Sequence, residues 1–173
     1  MQYFVTSQYL TTHGIITSNV DTTDFAPLVQ NAAKAFIKKQ IGTLFFNDLL
    51  TKYNSQTLSS DEEKVVEIMQ FAIAWRTSAE AGVTLTYQLK NKGYQTQSDD
   101  NSEAVEDKVV WQLYNHYIQK AFVFENELKE WLVANKDLYS VFISTANNDS
   151  TIKNNEHDWK GTDYNSGIGL MII

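Results

Sequence analysis

A chain of 173 residues with a formal net charge of −7 is long enough for one domain with a sizeable core, and too poor in clustered cations to wrap nucleic acid through its phosphates. The absence of cysteine removes disulfides, thiolate nucleophiles and cysteine-based zinc sites together. The opening MQYFVTSQYL has neither a basic n-region nor an apolar h-region, so no signal peptide is expected, and no apolar run approaches the ~20 residues of a membrane-spanning helix.

Residues 1–23 carry Tyr3, Val5, Tyr9, Leu10, Ile15, Ile16 and Val20 among Thr, Ser, Asn and Gln, with Gly14 between. That mixture predicts an N-terminal arm of short turns and extended pieces, with a brief helix at Thr6–Leu10. Asp21 to Asp24 supply N-cap candidates, and Pro27 then falls in a first helical turn, where its missing N–H costs nothing. From Asp24 to Tyr53 the apolar residues Leu28, Ala32, Phe36, Ile37, Ile41, Leu44, Phe45, Leu49 and Tyr53 recur at three- and four-residue steps and predict a long helix. Gly42 lies inside this pattern at a cost of about 1 kcal/mol relative to alanine. It marks a kink, a close crossing, or a break into two helices.

Asn54 to Ser60 is a polar loop. Ser60 with Glu63 fits a capping box, and Ser59 with Glu62 fits one a residue earlier. A third helix is expected from Asp61 to about Ala81, with Val65, Met69, Ala72, Trp75 and Ala79 on one face and Gly82 at or just past its end. Two readings stand for Val83 to Gln97. The alternation in VTLTYQL favours a strand that turns at Lys90-Asn91-Lys92-Gly93 and returns as Tyr94–Gln97. The other extends the preceding helix to Leu89, with Gly93 as its stop.

Ser102 to Lys136 contains no Gly or Pro, and its apolar residues Val109, Leu113, Tyr117, Ala121, Phe124, Leu128 and Trp131 follow the period of one helix face. Ser102 is a suitable N-cap, Glu103, Glu106 and Asp107 suit the positive end of the dipole, and Lys129 and Lys136 the negative end. At 1.5 Å per residue this helix would run roughly 45–50 Å, more than a small core needs. Part of its flank is expected to pack on another helix or another copy of the chain. A short helix is expected at Asp137–Ser144, followed by a polar tail, Thr145 to Gly167, too poor in apolar residues to order itself. The tail closes on Gly167, Ile168, Gly169, Leu170, Met171, Ile172 and Ile173, the candidate partner-binding segment. It either adds a strand to a neighbour's sheet edge or packs back on its own domain.

The sequence thus predicts a mainly α fold: a helical bundle with three long helices, a short extended or hairpin element, and extended N- and C-terminal arms. Its parts are an arm at 1–23, a bundle at 24–144 and a polar tail at 145–173. No catalytic constellation is evident. His13, His116 and His157 lack the E-x-x-H or H-E-x-x-H spacing of helical metal sites. Glu156-His157-Asp158 sits in the polar tail and reads as a solvated loop, and His116 as an exposed or hydrogen-bonded helix residue. Gly167-x-Gly169 has no strand before it and no helix after it to cradle a phosphate. Glu62-Glu63 and Asp99-Asp100 are explained by capping and solvation. No enzyme, cofactor or metal is expected.

Three stretches carry a likeness to a known family: Ala32–Tyr53 (AAKAFIKKQIGTLFFNDLLTKY), Leu89–Gln97 (LKNKGYQTQ) leading into Asp99–Ser102, and Ala121–Tyr139 (AFVFENELKEWLVANKDLY). In helix order and apolar spacing the chain resembles the head–tail connector (adaptor or ring) proteins of tailed bacteriophages, most of all those of crAss-like and related gut-bacterial phages. The resemblance implies a virion structural protein at the head–tail junction, assembled in the host cytoplasm. It would form a homo-oligomeric, dodecameric ring beneath the portal protein, touch neighbouring connector or tail proteins, and pass double-stranded DNA without gripping it, away from any membrane. An acidic subunit suits that role because it repels phosphate. The competing reading is a cytoplasmic helical binding or regulatory protein that uses its long helix as a partner surface, and a weaker third is a helical-bundle enzyme without a recognised motif.

Overall fold

The protein is described by a computed structural model over residues 3–13, 25–90, 93–96 and 107–139. Helix α1 (Ser7–Thr12) starts where the Thr6 hydroxyl accepts the Tyr9 N–H at 2.9 Å, the side-chain cap that satisfies an orphan donor of a first turn. Just before it, Phe4 takes a positive φ of 48°, and the Val5 N–H donates to the Tyr3 carbonyl across this tight turn. Two donors from the bundle hold the Phe4 carbonyl: the Tyr53 hydroxyl at 2.9 Å and the Gln70 amide at 2.7 Å. The Phe4 ring is fully buried, edge-on to Phe46 at 5.5 Å and tilted on Tyr53 at 5.3 Å. With Val5 and Leu10 also buried, residues 3–13 of the expected arm are part of the core. Their apolar side chains come singly, too few for a periodic signal, yet each fills a specific hole.

The expected single helix over Asp24–Tyr53 is interrupted. Helix α2 (Phe25–Ala32) passes into a π-helical turn (Ala33–Ile37), then into the four-residue α3 (Lys38–Ile41). Gly42 breaks the run with φ 86° and ψ 152°, a region open essentially to glycine, and α4 (Thr43–Ser55) follows in a new direction. Hydrogen bonding still spans the break: the Gly42 N–H donates to the Lys38 carbonyl and the Gly42 carbonyl accepts the Phe46 N–H, both at 3.0 Å. Ala32, Ala33, Ile37, Ile41, Phe45, Phe46, Leu49 and Leu50 are all buried, so the break serves to keep both pieces on the core. Helix α4 ends with Gln56 in the left-handed region (φ 58°), and the Thr57 N–H returns to the Lys52 carbonyl at 2.9 Å.

Helix α5 (Ser60–Thr86) is 27 residues long, ~40 Å at 1.5 Å per residue. Of the two capping boxes the sequence offers, the earlier one forms. The Ser59 hydroxyl accepts the Glu62 N–H at 3.3 Å, and the Glu62 carboxylate accepts the Ser59 N–H at 2.9 Å. Val65, Met69, Ala72 and Ala79 are buried, with Trp75 half-buried. The helix does not stop at Gly82 but runs to Thr86, and the chain then turns back as an antiparallel hairpin, β1 (Tyr87–Lys90) with β2 (Gly93–Thr96), in register Tyr87 with Thr96 and Lys90 with Gly93. Each sequence reading of this region is therefore half right: Val83–Thr86 are helical, and the hairpin begins later than the alternation suggests.

Helix α6 (Asp107–Ala134) packs antiparallel along α5. Its last turn stands beside the first turn of α5, where the Tyr139 hydroxyl donates to the Asp61 carbonyl at 3.0 Å and accepts the Trp131 indole N–H at 3.0 Å. Burial raises the Tyr139 pKa; the Trp131 bond opposes this and the nearby Asp61 and Glu62 add to it. Residues 102–106 of the expected helix lie outside the described residues. After Ala134 a 3₁₀ turn (Lys136–Leu138) stands where a helix from Asp137 to Ser144 was expected, and residues 140–144 are not described.

Candidate interaction surface

The apolar stripe read from the sequence of α6 is partly displaced. Ala121 and Leu128 are buried and Tyr117, Phe124 and Trp131 half-buried, but Val109 and Leu113 face solvent at 39% and 46% exposure. The buried face runs instead through Val110, Ala121, Glu125, Leu128 and Leu132. The displacement turns on Glu125, a carboxylate at a core position that an apolar pattern skips.

Glu125 is 1% exposed, and Arg76 of α5 meets it with two bonds, Nε to Oε1 at 2.6 Å and Nη2 to Oε2 at 3.0 Å. Gln40 of α3 adds its amide N–H to Oε2 at 3.1 Å. The guanidinium lies over the rings of Phe36 at 4.1 Å and Phe122 at 4.6 Å from their centroids. A planar fork with five donors suits this double task of bidentate pairing and ring stacking, which a lysine would not perform. The joint ties together three elements: the π-helical turn with α3, α5 and α6. It orients helices rather than exposing chemistry.

A second ionic group fixes α4 to the start of α5. Lys52 bonds Asp48 at 2.7 Å and Glu62 at 2.6 Å. The Lys52 ammonium is raised by hydrogen bonds to Asp48 and then Glu62. Burial pulls the Glu62 carboxyl up, but Lys52 and the Ser59 N–H and hydroxyl outweigh it and hold the carboxyl below the ordinary glutamate range.

Among the described residues, two surfaces are candidates for partners. The first is the outer side of α6. Val109, Trp111, Leu113, Val123 and Val133 are between 39% and 63% exposed. At ~100° per residue, Val109 and Leu113 lie on one flank of the buried stripe, Trp111 and Val133 on the other, and Val123 nearly opposite it. The second is a shallow groove of about 260 Å³ between α5 and α6, with a floor of Ile68, Phe71, Phe124 and Trp131 and a rim of Lys64, Glu67 and Glu127. Phe71 and Phe124 stack at 5.0 Å, and His13 and Tyr9 close the end beside Phe71.

The expected partner-binding segment Gly167–Ile173, like Glu156-His157-Asp158, lies outside the described residues. His116 is exposed beside Tyr117, and His13 is exposed with its ring 4.1 Å from that of Tyr9. Neither stands in a ligand set: among the described residues no three of His, Asp and Glu converge as a metal site would require. No described helix is long and apolar enough to cross a membrane.

Fold and surfaces together define a mainly α protein: a helical bundle built on one long antiparallel pair, with a small hairpin at one end. The chain belongs to the family of unknown function DUF6712, whose model matches residues 37–152, more than half of the chain. The match takes in α3 to α6, the Arg76–Glu125 joint and both candidate surfaces. No curated protein and no solved structure matches the chain.

Proposed function

We propose that this chain is a non-enzymatic structural protein of the phage head–tail connector type, a subunit of a closed ring beneath the portal that prolongs the DNA channel. The observation that carries the reading is the outer side of α6. Five large apolar side chains on one 28-residue helix stand in solvent, and four of them fall on two flanks rather than one. A ring subunit needs two unlike contact surfaces, because heterologous contacts close a ring only when each copy offers a different face to each neighbour. The ionic joints fit a part whose work is shape, since they hold the helix directions that set the angle between subunits. A net charge of −7 suits a channel through which DNA slides without being held. On this reading the protein resides in the virion and its partners are its own copies, the portal protein and the adjoining connector or tail proteins.

Sedimentation velocity on Val109→Asp/Leu113→Asp and on Trp111→Asp tests the reading flank by flank. Either change is expected to lower the assembled mass while helix content and melting temperature hold, because the positions are already in water. Unchanged assembly in both variants would contradict it. It would favour the alternative of a regulatory protein with a separate partner for its long helix.

A further inference from the structure

We propose that the groove between α5 and α6 is the seat of this chain's own Ile168–Ile173 segment, docked in extended form over Ile68, Phe71, Phe124 and Trp131. The groove has an apolar floor, and its rim charges are partly spent on each other, Lys64 pairing with Glu67 at 3.0 Å. An uncharged, apolar occupant fits such a site, and Ile168–Ile173 is the apolar stretch that follows the polar tail. In an extended chain Ile168, Leu170 and Ile172 share one side and span ~13 Å at 3.3 Å per residue. The floor from Phe124 to Trp131 covers seven residues of helix, ~10 Å at 1.5 Å per residue. Three side chains at strand spacing therefore meet a floor of matching length, with Met171 directed to the rim.

The tether argues for the chain's own segment over a neighbour's. The described part of the chain ends at Tyr139, whose hydroxyl is bonded to the indole of Trp131, a residue of the groove floor. Twenty-nine residue steps separate Tyr139 from Ile168, and a random coil of that length would span about 30 Å root-mean-square. Its effective concentration at the groove is then of millimolar order, well above the concentration of any second copy in dilute solution. This assigns the segment to its own bundle rather than to a neighbour's sheet edge. Assembly contacts stay with the flanks of α6, so the inference stands or falls apart from the ring reading.

The absence of cysteine in the chain makes the test direct. In the full-length protein, Glu127→Cys with Met171→Cys places thiols on the groove rim and on the rim side of the segment. Lys39→Cys with Met171→Cys is the control for random collisions of a tethered tail. At low micromolar protein and mild oxidation, the groove pair is expected to close within one chain at least about tenfold faster than the control. Adding Leu170→Asp should bring it down to the control rate. Equal rates for both pairs, or disulfides that form only between chains, would overturn the proposal. Hydrogen exchange on the unmodified chain gives an independent readout. Slowed amides at 168–173, freed by Leu170→Asp, support docking, and amides exchanging at the unprotected rate overturn it.

Discussion

Replacing Arg76 by leucine removes every designed partner of a carboxylate that is 1% exposed, except the single Gln40 amide at 3.1 Å. Breaking a buried pair from one side costs about 3–5 kcal/mol, because the remaining charge stays in a poorly solvating interior. The variant also loses the stacking of the guanidinium on Phe36 and Phe122, so the upper half of that range is expected. With a urea slope near 2 kcal/mol per molar, the unfolding midpoint should fall by about 2–2.5 M. Replacing both partners tells whether the reasoning is right. Arg76→Leu/Glu125→Leu removes the unpaired charge along with the pair and should recover most of the loss, as apolar replacements of buried ion pairs commonly do. The assay is urea unfolding followed by circular dichroism for the wild type, both single variants and the double. A single-variant cost below about 1 kcal/mol, the size of a surface pair, would refute the claim that the joint is desolvated. A double variant as damaged as the sum of the singles would refute the claim that the pair acts as one unit.

Gly42→Ala and Gly82→Ala should have opposite signs. The first forces a side chain into φ 86°, ψ 152° and should cost about 1–3 kcal/mol, whereas the second adds a Cβ that meets nothing within 4 Å in a helix interior and should gain about 0.5–1 kcal/mol, both read from unfolding midpoints. Lys52→Met should flatten the acid side of the stability profile. The Glu62 carboxyl lies below its ordinary value in the folded chain, so its contribution is present above the unfolded pKa and is lost as pH falls through the folded one. Unfolding curves from neutral to acid pH should therefore show wild type and variant converging. Tyr9 should titrate late in an alkaline absorbance scan: burial, with Glu67 and Tyr53 nearby, pushes its phenol up to about 12. The stability tied to its neutral form is complete below pH 10 and fades as pH rises through the folded value, and Tyr9→Phe should remove the late step.

The helical character of the chain was legible because α5 and α6 each bury a stripe with the right period, Val65–Met69–Ala72 on one and Ala121–Leu128 on the other. The capping box at Ser59 was legible as a local rule of spacing. Three things were not. A π-helical turn shifts register by an amount that no apolar count registers, so Ala33–Ile37 read as ordinary helix. Gly42 announced a change of direction without saying which of kink, crossing or break it would be, since that depends on what the two pieces pack against. The true buried face of α6 was masked by Glu125, whose place in the core depends on Arg76, 49 positions earlier, and on Gln40, 85 positions earlier. Long-range partnership of polar residues leaves no local trace in one sequence. The same blind spot hid the surface: Val109 and Leu113 were placed on one apolar face with Ala121 and Leu128, and the period alone does not tell that they are exposed. The residues of the groove floor were visible only as apolar helix positions, with nothing to separate them from the rest of the core.

The claim that most needs testing is that this bundle is a ring-forming part of a connector. Light scattering gives the mass of the full-length chain alone, and then mixed with the portal protein of the same genome. A large closed assembly, either unaided or as a defined complex on the portal, is the expected result. A monomer or dimer that ignores the portal would contradict it.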